Sequence, residues 1–174
     1  SQGCDVRGRG AAGTDAPCSA ASDLSAGRGL IGAPCEKHGI VIVGAGPAGL
    51  TLARLLVRAG FAPLLISDDR ASRGRLEVVS PSASAAFAGA DISCLLDRPE
   101  IAVSCLGIVR SGPKGEVRED FISQPGGRGF VVDRTMFDNA LRELARHDGV
   151  CIKVARVHSI AVRNFGFEVT LTGK

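Results

Sequence analysis

Apolar and polar positions fall into an ordered pattern from His38 onward. Gly39-Ile40-Val41-Ile42-Val43 is a continuous β-branched run, the signature of a strand buried on both faces of a parallel sheet. A glycine-rich turn follows, and Leu50 to Ala59 is then apolar on most sides apart from Arg54 and Arg58, which predicts a helix ended by Gly60. Pro63 to Ser67 predicts a second short strand. Strand, turn, helix and strand in this order make a βαβ unit, whose crossover places the two strands parallel and adjacent.

The pattern weakens from Asp68 to about Gly129. Ser80-Pro81-Ser82 predicts the start of a short helix through Ala86 and Phe87, Ile101–Val109 and Val117–Ile122 predict strands, and Pro125 to Gly129 is a turn cluster. Phe130-Val131-Val132 is a short extended piece leading into a second helix. There, Thr135 and Asp138 have the spacing of a variant capping box, and Phe137, Leu141, Leu144 and Ala145 form one apolar stripe. Gly149 ends that helix. Val150–Ala155 reads as a strand, and Val157–Val162 with Phe165–Leu171 reads as a hairpin turning at Asn164 or Gly166.

Residues 1–37 are of another kind. Gly, Ala and Ser supply about half of them, and Val6, Leu24, Leu30 and Ile31 are the only large apolar side chains. Such a stretch cannot bury enough surface to offset its ordering entropy, so it predicts a flexible leader. Cys4, Cys18 and Cys35 are spaced by 14 and 17 positions, which matches no metal-ligand pattern. The absence of an initial Met and the stop at Lys174 predict a partial chain.

Composition narrows the class. The 174 residues are 45% hydrophobic and 22% charged, with a net charge of +3. That balance excludes an acidic disordered chain and offers no broad basic face for nucleic acid. No apolar run is long enough for a membrane span, and a soluble, cytoplasmic protein is the expectation. The oligomeric state is not legible.

One motif carries chemistry. Gly44-Ala45-Gly46-Pro47-Ala48-Gly49 is a G-x-G-x-x-G between a strand and a helix. Gly44 permits the tight turn out of the strand, Gly46 lets a pyrophosphate approach the backbone, and Gly49 lets the helix pack on the strand. The helix-start amides and dipole then hold the anion, and Pro47 suits the first helical position. An acidic residue at the end of the second strand would take the ribose. Ser67 and Asp68 lie 18 and 19 positions beyond Gly49, with Asp69 next.

His38–Ser67 with Gly-Ala-Gly-Pro-Ala-Gly-Leu resembles the N-terminal FAD-binding segment of flavin-dependent monooxygenases. The same opening occurs in flavin-dependent halogenases and geranylgeranyl-reductase-like enzymes. A second block, Val132 to Leu141, is similar to the family's helix with Arg, two residues and Phe-Asp. The resemblance implies an α/β, Rossmann-like FAD-binding βαβ unit with a parallel sheet and a β-meander, incomplete at its C-terminus. It divides the chain into a leader, 1–37, and a partial FAD-binding domain, 38–174, in which 70–128 begins a substrate-side insertion.

It also implies roles. Gly44, Gly46, Pro47, Ala48 and Gly49 would cradle FAD, Asp68 or Ser67 would meet the adenosine ribose, and Arg134 would approach the flavin. Gly74-Arg75-Leu76-Glu77 resembles the loop in which an arginine lies near the cofactor, with Arg73 and Arg75 both candidates. Ser67 stands where most members have a glutamate. Halogenases carry a lysine above the flavin and a tryptophan-rich motif, whereas this chain has no Trp and only Lys114 between Lys37 and Lys153. NAD(P)H would be the reductant and an unidentified small molecule the substrate. No catalytic residue and no metal site are assigned. The alternatives are a truncated, non-catalytic remnant that keeps the motif, or a protein binding NAD(P) in the same fold.

Overall fold

The computed structural model describes residues 36–68 and 74–172, and every element below lies in the unit from Gly39 to Lys174. The expected leader falls outside the described residues except for Glu36 and Lys37, as do Asp69 and Arg73. Strand β1 (Val41–Val43) leads into helix α1 (Pro47–Arg58), and β2 (Leu64–Ser67) returns parallel to β1 with Ile42 opposite Leu65. Pro47 occupies the first turn of α1, so the helix starts ahead of the apolar run that signals it. Gly60 terminates it with φ +85°: the Gly60 N–H donates to Val57 O and the Phe61 N–H to Leu56 O, each at 2.9 Å. A left-handed residue satisfies the last carbonyls of α1 in this way.

After β3 (Leu76–Val79) and a 3₁₀ turn over Pro81–Ala83, α2 (Ser84–Gly89) supplies the short helix expected near Ala86. A second 3₁₀ turn, Ser93–Leu95, leads to β4 (Ala102–Cys105), then to the hairpin β5 (Gly107–Gly112) and β6 (Gly115–Asp120). The single strand expected over 101–109 is therefore two. The chain breaks at Leu106, whose carbonyl accepts from the Phe121 N–H at 2.8 Å. Strand β7 (Gly129–Asp133) lies between β3 and β4, antiparallel to both.

Helix α3 (Arg134–His147) carries the predicted stripe: Phe137, Leu141 and Ala145 are buried, Leu144 is half-buried, and Ala140 joins them. Its N-cap differs from the expectation. Asp133, not Thr135, caps the helix, its Oδ1 accepting from the amides of Thr135 and Met136 at 2.8 and 3.1 Å. Asp138 instead pairs with Arg134. Strand β8 (Cys151–Val154) then joins β2 in parallel, giving the sheet order β1-β2-β8. Strands β9 (Arg156–Arg163) and β10 (Gly166–Thr172) form the expected hairpin around Asn164 and Phe165.

The core packs Leu50 and Ala53 of α1 with Leu65 of β2, Val132 of β7 and the stripe of α3. The Phe87 ring meets Phe137 at 5.9 Å between centroids, tilted by 46°. All four residues of β2 are buried, as a central strand requires. In β1 only Ile42 is buried, whereas Val41 and Val43 are 37% and 52% exposed. The expected burial of that run on both faces does not hold, because β1 is the edge of its sheet among the described residues. No helix among the described residues is long and apolar enough to cross a membrane.

Candidate functional site: the carboxyl edge of the parallel sheet

Topology gathers the singled-out residues at one end of the sheet. Strand β1 feeds α1, so the start of α1 lies at the carboxyl ends of β1 and β2. Helix α3 reaches β8 through only three residues, Asp148 to Val150, and packs on the same core, so it runs opposite to β8. Its first residue, Arg134, therefore lies at the same carboxyl edge. Ligands of open α/β sheets bind at that edge.

The turn from β1 into α1 is held by the Gly44 N–H, which donates to Ile66 O at 2.8 Å, with Gly44 at φ +105°. Gly46 is the N-cap of α1, in extended conformation, and a Cβ placed there would meet nothing within 4 Å. Gly49 is the opposite case: a Cβ there would fall 2.1 Å from Gly44 O and 3.4 Å from Ile42 Cγ2. The first glycine of the helix thus faces open space, and the second is the point of helix–strand contact. Pro47 and Ala48 complete the first turn, with no side-chain cap and no acidic residue there. An uncapped helix start with a positive dipole end and open space above its backbone fits a pyrophosphate.

Ser67, the last residue of β2, is buried, and its carbonyl accepts from the Ala155 N–H at 2.8 Å. Asp68, next in the chain, is exposed. Arg75 directly precedes β3, its side chain exposed and ion-paired with Glu77. The β3–β7 register explains why these charges meet Arg134. Leu76 lies opposite Asp133 and Glu77 opposite Val132, and the Arg134 N–H extends the ladder to Arg75 O at 3.0 Å. Strand alternation then puts Arg75 and Glu77 on one face with Val132 and Arg134.

The Arg134 guanidinium spans two carboxylates. Nη1 donates to Glu77 Oε2 at 2.6 Å, and Nε and Nη2 donate to Asp138 at 3.1–3.3 Å. The hydrogen bond from Arg134 holds the Glu77 carboxyl below the ordinary carboxylate range, against a smaller opposing effect of desolvation and with Arg75 assisting. The bond to Glu77 in turn raises the proton affinity of the guanidinium. From sequence, Glu77 and Asp138 had no place in the site, Asp138 being read as a capping residue. The signal was present in Arg134 and Asp138 as an i, i+4 pair, but nothing local joins Glu77 to a residue 57 positions on.

A second charged cluster lies at the other end of α1. Arg54, 2% exposed, donates from Nε to Asp148 Oδ2 at 2.8 Å, and Arg58 joins Asp148 at 3.1 Å and Asp91 at 3.1 Å. It ties α1 to the end of α3, away from the glycine turn. Among the described residues no group of His, Cys, Asp and Glu is placed to hold a metal.

Comparison with known proteins agrees with this geometry. Residues 37–75 match the family model of the FAD binding domain. A digeranylgeranylglycerophospholipid reductase of Methanosarcina mazei is 30% identical over 125 residues, covering 68% of this chain and 29% of that protein. Among solved structures, a peptidyl tryptophan dihydroxylase is 27% identical with a TM-score of 0.56, covering 76% of this chain and 28% of its own. The p-nitrophenol 4-monooxygenase of Pseudomonas putida is 22% identical with a TM-score of 0.64 over 78% of this chain and 36% of its own. A flavin-dependent brominase is 19% identical with a TM-score of 0.62, over 79% and 34%. The last two likenesses establish the fold. The chain spans less than a third of the length of the reductase. The match to an FAD binding domain lies in residues 37–75, and the wider likeness to the solved structures is one of fold.

Proposed function

We propose that this FAD-binding segment serves an FAD-dependent oxidoreductase of the flavoprotein monooxygenase kind, with NAD(P)H as reductant and a small organic molecule as substrate. The observation that carries the reading is the contrast within the glycine turn: open space over Gly46 beside an uncapped helix start, with Gly49 pressed on Gly44. Bound FAD would supply the redox chemistry, and the protein would supply binding and orientation.

In this reading the amides at the start of α1 donate to the pyrophosphate, and the helix dipole favours its charge. Gly44, Gly46, Pro47, Ala48 and Gly49 shape that cradle. Asp68 takes the ribose rather than Ser67, because the Asp68 carboxylate is exposed at the strand end and Ser67 is buried. Arg134 engages the flavin nucleotide from the start of α3, with Arg75 on the exposed side of the same cluster. Residues 38–174 act as the FAD-binding domain, with 70–128 facing the substrate, and the protein works in the cytoplasm.

The test is a titration of FAD into the purified chain, followed by flavin fluorescence, for wild type and Gly46→Val. Saturable binding that Gly46→Val abolishes supports the reading. Equal affinity in the two proteins refutes it.

A further inference from the structure

We propose that Glu77 is a positioning residue, which fixes the Arg134 guanidinium in the orientation from which it engages the flavin nucleotide. The inference rests on the FAD reading above and adds a residue to it.

Asp138 holds Arg134 from one side only: it sits on the same helix and takes Nε and Nη2 of the fork. Glu77 comes from a different element. Its Oε2 takes Nη1 at 2.6 Å while Asp138 takes Nε and Nη2, so the planar fork is held from two directions. The carboxylate is itself anchored, because Glu77 lies within β3, paired in register with Val132 of β7. Arg75 occupies its other oxygen. Nη1 carries two N–H donors and Glu77 takes one, so one donor remains on Nη1 for a ligand at the carboxyl edge.

The charges support this assignment. Arg75 and Arg134 are balanced by Glu77 and Asp138, so Arg134 stands in a neutral cluster as an oriented donor, not as an uncompensated cation. At 21% exposure the Arg134 side chain is enclosed enough for its direction to be set by these partners, yet open enough to be reached. A purely structural tie between β3 and α3 would need the same ion pair, so the test must separate affinity from stability.

The experiment measures FAD dissociation constants and apo-protein melting temperatures for the full chain as wild type, Glu77→Ala, Glu77→Gln, Arg134→Ala and the Glu77→Ala/Arg134→Ala pair. Glu77→Ala is expected to weaken FAD about tenfold when Arg134 is present, and to have no further effect when Arg134 is absent. Glu77→Gln keeps an oxygen for Nη1 and is expected to stay within about threefold of wild type. An equal loss in both backgrounds overturns the proposal, as does a lowered melting temperature with unchanged FAD affinity in Glu77→Ala. Unchanged affinity in Arg134→Ala also overturns it while leaving the FAD reading standing. Failure of the wild-type chain to bind FAD removes that reading, and the proposal with it.

Discussion

Replacing Gly49 by alanine should destabilise the protein whether or not a nucleotide is present, although alanine is the better helix former. The new Cβ would fall 2.1 Å from Gly44 O, more than 1 Å inside an ordinary carbon–oxygen contact. The turn cannot simply retreat, because the Gly44 N–H is bonded to Ile66 O at 2.8 Å and so tied to the central strand. Helix propensity contributes about 1 kcal/mol in favour of alanine. Overpacking a tight contact costs about 1–3 kcal/mol, and weakening the Gly44–Ile66 bond about 1 kcal/mol more. The net loss is about 1–3 kcal/mol, or a fall of roughly 3–10 °C in the midpoint of a thermal melt followed by circular dichroism without FAD. Gly46→Ala is the control: its Cβ meets nothing within 4 Å and its φ of −79° suits any residue. The poorer N-cap costs about 0.5 kcal/mol, so its melt should fall by about 2 °C while FAD affinity falls at least tenfold. A Gly49→Ala melt at or above that of wild type would refute the account of how α1 sits on β1.

Three further predictions concern the charges. Asp148→Ala strands the buried guanidinium of Arg54, which already has one Nη1 without a hydrogen-bond partner, and should cost about 3–5 kcal/mol in urea denaturation. Arg54→Met, which leaves Asp148 still paired with Arg58, should cost less. Asp133→Ala removes the N-cap of α3 and should cost about 1 kcal/mol by the same measurement. Glu77 has a carboxyl pKa lowered in the folded state, so it contributes stability that is present above its unfolded value near 4.5 and is lost as pH falls through the folded value. Glu77→Gln should therefore flatten the fall in stability below about pH 4.5. Because the Glu77 side chain is 33% exposed, solvent screening holds the difference to about 1 kcal/mol or less. An acid limb as steep as that of wild type would show that Glu77 does not carry the effect.

The parts of the fold legible in sequence are those written by local rules. Pro47 at the start of α1, Gly60 and Gly149 past the ends of α1 and α3, and the apolar stripe of α3 each act within a few residues, and all stand where the pattern puts them. The parts that were not legible depend on distant partners. Strand β3 has only four residues, two of them exposed apolar ones, and is a strand because β7 pairs with it. The strand expected over Val117–Ile122 is β6, but its pairing with β5 across Pro113 and Lys114 was not legible, because both strands are largely exposed and lack the alternation that marks a half-buried strand. Asp133 and Thr135 are both capping residues two positions apart. The choice between them is made by β7, whose extended backbone persists through Asp133. The burial of β1 was misjudged for a related reason: a β-branched run shows that a strand forms, and its place in the sheet order decides how many faces are covered.

The candidate site divides in the same way. The glycine turn is a sequence motif and reads directly, because spacing alone fixes which glycine is pressed on the strand and which is open. The partners of Arg134 do not, since Glu77 reaches it only through the register of two antiparallel strands.

The central claim is that the carboxyl edge holds FAD, and competition between nucleotides tests it most directly. FAD is titrated into the purified chain while flavin fluorescence is followed, first alone and then against excess NAD⁺ or NADP⁺. The account predicts saturable binding of one FAD per chain that neither nicotinamide nucleotide displaces. Absence of FAD binding, or displacement by either nucleotide at concentrations comparable to that of FAD, would contradict it.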